Sequence, residues 1–78
     1  MKIENINESE FGTELVLTRW PTATERELFE QWCEEVDIAH YIHLISFKPS
    51  STNIILPAIH IHPRAPDSVK TMCLLRWL

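Results

Sequence analysis

The chain has 78 residues, 45% hydrophobic and 23% charged, with a formal net charge of −4 at pH 7. That length supports one domain, residues 1–78, with a folded radius of gyration of roughly 11 to 12 Å, and that balance is ordinary for a globular protein and argues against disorder. The single glycine, Gly12, excludes the P-loop and the dinucleotide fingerprint, which need several glycines to bring backbone amides against a phosphate.

No apolar run approaches the roughly 20 residues of a membrane span. The acidic start MKIENINESE lacks the basic and apolar regions of a signal peptide. The expectation is a soluble, cytoplasmic protein. Cys33 and Cys73 stand far apart inside apolar patterns, which suits reduced, buried thiols rather than a disulfide. The motifs G-x-S-x-G, C-x-x-C and H-E-x-x-H are all missing, so no nucleophile elbow, redox pair or zinc-protease signature can be written.

In chain order, residues 1–13 read as a frayed tail or an edge strand. ELVLTRW, residues 14–20, is rich in β-branched and aromatic types and ends at Pro21, as a strand does. Two overlapping capping boxes follow, Thr22 with Glu25 and Thr24 with Glu27, and start a helix. Its apolar residues Leu28, Phe29, Trp32, Cys33 and Val36 form one stripe of a 3.6-residue period that faces the core. HYIHLISF, residues 40–47, is bulky throughout and reads as a strand in the middle of a sheet. The turn signals KPSSTN lead into the strand NIILPAIHIH, where Pro57 cannot donate to a ladder and so marks an edge or a bulge. SVKTMCLLRWL fits both periods; Thr, Cys, Trp and Val weaken helix propensity, which favours a strand. The fold class that follows is α+β: a small, mostly antiparallel sheet of three to four strands with one amphipathic helix packed across a face.

The alternating TMCLLRWL, residues 71–78, resembles the closing strand of many small bacteriophage proteins. The likeness implies a phage-type accessory protein and assigns no functional residue.

Charge is uneven. Residues 1–39 carry ten acids against Lys2, Arg19 and Arg26, whereas residues 40–78 carry Lys48, Arg64, Lys70 and Arg76 against Asp67 alone, together with all four histidines. On a strand, His60 and His62 share one face while Ile59 and Ile61 point into the core. Such a pair is polar cover on an exposed strand, or two of the ligands of a metal whose third would be His43, His40, Cys73 or an acid. No spacing specifies that third ligand, so neither a metal nor another cofactor is expected. Glu34 and Glu35 are adjacent on the helix and diverge by about 100°, so they are no catalytic pair. The expected function is a non-enzymatic, protein-binding accessory or inhibitor protein, monomeric or homodimeric. It would act through the sheet edge and face around residues 58–64, with His60, His62, Arg64, Trp77 and Trp20 as binding residues. The alternatives are a nucleic-acid binder using the basic, histidine-bearing sheet face, against which the net charge of −4 counts, and a His-ligated metal-dependent enzyme.

Overall fold

The computed structural model describes residues 1–48 and 53–78. Strands β1 (Ile3–Ser9) and β2 (Gly12–Leu17), helix α1 (Ala23–Glu35), strands β3 (Ile42–Phe47) and β4 (Leu56–Ile61) and helix α2 (Asp67–Trp77) follow one another in the chain. The strands form one antiparallel sheet in the order β1-β2-β4-β3. Because β2 and β3 both run antiparallel to β4, they are parallel to each other. With α1 between them they make a βαβ unit split by the returning β4. The α+β class with a small antiparallel sheet is therefore the one the chain adopts. Most of the expected KPSSTN turn falls in residues 49–52, outside the described residues.

Register divides the sheet into two faces. Leu15 and Leu17 of β2, Ile59 and Ile61 of β4, Ile42 of β3 and Ile3 of β1 pack with Phe29, Cys33, Ile38, Val69 and Cys73 in one cluster. Both helices therefore lie on the same face. Four strands spaced about 4.8 Å apart present a width of roughly 15 to 20 Å, more than one helix of about 10 Å can cover. That mismatch is the physical reason for a second helix where one was expected.

The segment read as a closing strand is α2. Strand alternation would have grouped Thr71 and Leu75 with Val69 and Cys73. Instead Val69 and Cys73 are buried, while Thr71 is exposed and Leu75 is 84% exposed. Asp67 in the first turn and Arg76 in the last complement the helix dipole. The N-cap is Pro66, with no side-chain cap hydrogen bond, so the local signature that announces α1 is missing here. TMCLLRWL is helical as far as Trp77, with Leu78 as the C-cap, and not the closing strand to which it was likened.

Two further expectations are corrected. β3 is an edge strand and β4 an inner one. Bulky residues at every position report what covers the two faces of a strand, not whether both of its hydrogen-bonding sides are paired. Pro57 is tolerated in the inner strand because the β2 ladder stops at Val16 and Ala58, so no β2 bond is asked of the residue that has no amide hydrogen; its ladder partner is Ser46 of β3. Leu28 is 54% exposed at the margin of the α1 stripe, whose buried members are Phe29 and Cys33.

α1 is closed at both ends by local chemistry. The Glu25 amide donates to Thr22 Oγ1 at 3.2 Å and the Thr22 amide donates to Glu25 Oε1 at 2.9 Å, a reciprocal capping box. Arg19 and the Met1 amino group also bind the Glu25 carboxylate, at 2.7 and 2.8 Å. The Arg19 guanidinium, followed by that amino group and the Thr22 amide, holds its pKa well below the usual carboxylate range. At the other end the Asp37 amide donates to the Glu34 carbonyl at 3.2 Å and the Ile38 amide to the Cys33 carbonyl at 2.9 Å. This is a Schellman motif with Asp37 at φ 59°, the position that ordinarily takes glycine.

Gly12 opens β2 at φ 124°, and a Cβ there would stand 2.3 Å from the Ile61 carbonyl oxygen. Two substitutions should thus move stability in opposite directions. Gly12→Ala is expected to destabilise by about 2 kcal/mol or more, through strain and backbone clash. Asp37→Gly is expected to stabilise by about 0.5 to 1 kcal/mol, by relieving the left-handed residue. Urea unfolding monitored by circular dichroism measures both; a stabilised Gly12→Ala, or a destabilised Asp37→Gly, would contradict the backbone reading.

Candidate functional site

The outer face of the sheet carries a polar row across all four strands. Asn7 of β1 stands opposite Glu14 of β2, Glu14 opposite His60 of β4, and His60 opposite His43 of β3. Asn7 Nδ2 donates to Glu14 Oε2 at 3.3 Å. Glu14 Oε1 lies 3.5 Å from His60 Nδ1, with the two side chains only 13% and 22% exposed. Gly12 makes room for the imidazole: a Cβ there would approach His60 Cε1 at 3.0 Å. Beside this row, Val16 and Ala58 are buried on the same face and Ile45 is half-buried. A carboxylate beside Nδ1 orients the ring and directs Nε2 away from it. Among the described residues, no hydroxyl or thiol is hydrogen-bonded to His60.

The residues expected to bind do not form one surface. His62 lies just beyond β4, exposed, and its Nδ1 accepts the Arg64 amide at 3.1 Å. The His62 ring thus shapes the turn that carries Arg64, and the two stay near the β4 end of the polar row. Trp77 belongs to the helix layer on the other side of the sheet. Its ring meets Trp32 edge-on at 4.8 Å between centroids and Phe29 at 5.4 Å, with the Arg76 guanidinium 5.6 Å from its centre. Trp20 is 53% exposed and follows β2 at the end of the sheet remote from His62. An edge at residues 58–61 is not available, because β4 is paired on both sides.

Of the candidate third metal ligands, His43 is His60's cross-strand partner, whereas His40 packs on Tyr41 at 4.0 Å between ring centroids. Cys73 is buried beneath the opposite face. Among the described residues, no group of three or more His, Cys, Asp or Glu side chains is placed to hold a metal ion. Both cysteines are free. Burial, reinforced by Glu30, pushes the Cys33 thiol up to about 11, and burial pushes Cys73 up to about 12, which suppresses the nucleophilic thiolate.

The available edge is β3. Between it and α1 runs an open groove of about 330 Å³, with Phe29, Cys33, Ile42 and Leu44 along its floor and Arg26, Glu30, Glu34 and His43 around it. A neighbouring cleft of about 140 Å³ shares Arg26 and Leu44 and extends along β3 to Ser46, Pro57 and Trp20. Sequence reading missed this groove because it depends on strand order. The one local signal for it was the absence of Lys, Arg, Asp, Glu and Pro from IHLISF.

No protein-family model, curated protein or solved structure matches the chain. Among the described residues, no helix is long and apolar enough to cross a membrane.

Exhaustive chelation is expected to leave the thermal midpoint unchanged, since a metal that held the fold would stabilise it by linkage. Elemental analysis before and after chelation, with thermal unfolding alongside, checks this. Stoichiometric zinc lost together with the fold in His62→Ala would overturn it.

Proposed function

We propose that this chain is a non-enzymatic, cytoplasmic accessory or inhibitor protein that acts by contact with another protein. The contact uses the helix-free side of the sheet around His60, His62 and Arg64, together with the adjoining edge of β3. The observation that carries this reading is the asymmetry of the two sheet edges. β1 is blunted by an irregularity between Ile3 and Asn5 and by Glu4 and Glu8, devices that discourage strand addition. β3 has neither a proline nor an acid, lysine or arginine along its six residues. An edge left open in this way is a template for main-chain pairing with a partner.

Two features favour a protein over a nucleic acid. The outer row has a carboxylate, Glu14, at its centre. The bases of the second half are also dispersed: Lys70 is paired with Glu8, and Arg76 lies over Trp32 and Trp77 on the helix side. Few phosphates could be neutralised by what remains. A two-fold copy of the chain is a second reading that the same edge supports, because antiparallel β3 pairing is self-complementary.

The test is affinity capture from the native host with wild type, with a His43→Lys, Ser46→Lys variant that charges the edge, and with Leu75→Ser on the helix side. Wild type and Leu75→Ser are expected to retain one protein in stoichiometric amount, and the edge variant to lose it at an unchanged thermal midpoint. Retention by a folded edge variant, or capture of nucleic acid alone at physiological salt, would sink the proposal.

A further inference from the structure

The groove beside β3 has a direction. α1 runs antiparallel to β3, so Arg26 near the start of the helix lies with Ile45 and Ser46 near the end of the strand. Glu30 and Glu34 lie along the groove with Ile42 at the strand's beginning and Ala39 in the turn before it. Among the described residues none of these three helix charges takes part in an ion pair. The groove is therefore positive at one end, negative toward the other, and apolar on its floor, where Phe29, Ile42 and Leu44 meet.

From this we infer that the groove receives an extended peptide segment of a partner, added antiparallel to β3, with an acidic side chain toward its amino end and a basic one toward its carboxyl end. The inference rests on the protein-binding reading above and specifies the partner's chemistry. Antiparallel addition continues the pattern of the existing sheet and is the slightly more stable pairing. It sets the amino end of the segment beside Ser46 and its carboxyl end beside Ile42. Alternate residues of the added strand point toward α1. In order they meet Arg26, then the apolar floor, then Glu30 and Glu34, so the segment reads acidic, apolar, basic at every second position. Trp20, 53% exposed at the cleft's end, adds a flat apolar surface for the amino end. A second copy of the chain answers the groove less well, because β3 would bring only Ile42, Leu44 and Ser46 to the helix side, none of them charged.

Two capped synthetic peptides long enough to span the six residues of β3 test this. One carries Asp, Val and Lys at alternate positions with Thr between them. The other carries the same residues in reverse order. Titration into the full chain, followed by backbone amide shifts, is expected to perturb Ile42–Phe47 and to favour the first peptide by about tenfold, the scale of two exposed ion pairs. In an Arg26→Glu, Glu34→Arg variant the preference is expected to invert; both positions are exposed, so the fold is retained. Equal affinities, an uninverted preference, perturbation confined to β1, or no binding by either peptide would overturn the inference. So would a sedimenting dimer whose β3 amides are already protected, since the occupant would then be a second copy. If the peptides fail while the edge variant still loses the captured protein, the binding reading stands and this inference alone falls. Retention of that protein by the edge variant would remove the reading itself.

Discussion

β4 lies between β2 and β3 with ladders on both sides, and the period of two along this one strand decides what every other element does. Pro57, Ile59 and Ile61 point toward the helices, and all three are buried; Ala58 and His60 point the other way. Ile59 is fully buried, as are Leu15 and Leu17 of the adjoining strand, and each such side chain contributes roughly 1.5 to 3 kcal/mol of apolar burial. The helices must therefore share one face of the sheet. The opposite face is left to a polar row, and the place of β3 at the margin follows from β4 having taken the interior.

Chemistry is partitioned accordingly. Both thiols sit on the helix side, where burial keeps them protonated, and the Trp32–Trp77 edge-on contact with Arg76 above it ties the two helices together. These groups belong to stability. Glu14, His60, His43 and His62 lie on the other face or at its end, while the charges of α1 that stand outside the core, Arg26, Glu30 and Glu34, border the groove at its edge. Association through that side would leave the packed layer undisturbed.

What could be read from the residues was the part governed by local chemistry. α1 was legible because Thr22 and Glu25 satisfy each other's backbone donors within one turn and because Phe29 and Cys33 repeat at helical spacing. β2 was legible from ELVL, although the strand expected over residues 14–20 began two residues late and ran past its end at Leu17 through Thr18, Arg19 and Trp20. α2 was not, since Pro66 supplies no capping side chain and Val69, Cys73 and Trp77 satisfy a two-residue and a 3.6-residue period at once. Edge and interior could not be told apart either. IHLISF and LPAIHI differ little in apolar content, and the pairing that distinguishes them joins β4 to a β2 far away in the chain. For the same reason His60 was visible as a candidate, while its placement between Glu14 and His43 was not.

The ladder between β2 and β4 joins residues more than forty positions apart, Thr13 through Val16 with Ala58 through Ile61. It is the seam between two hairpins, β1–β2 and β3–β4, each with pairing of its own. A strand slipped by one residue along that seam would turn Ile59 and Ile61 outward and carry His60 to the face opposite Glu14. The apolar side resists the slip through burial, and the carboxylate and imidazole resist it from the other side through a contact that only one alignment allows. The Glu14–His60 pair therefore serves as a key between the two halves: whatever its use to a partner, it discriminates the correct docking of one hairpin on the other from its nearest misaligned neighbours.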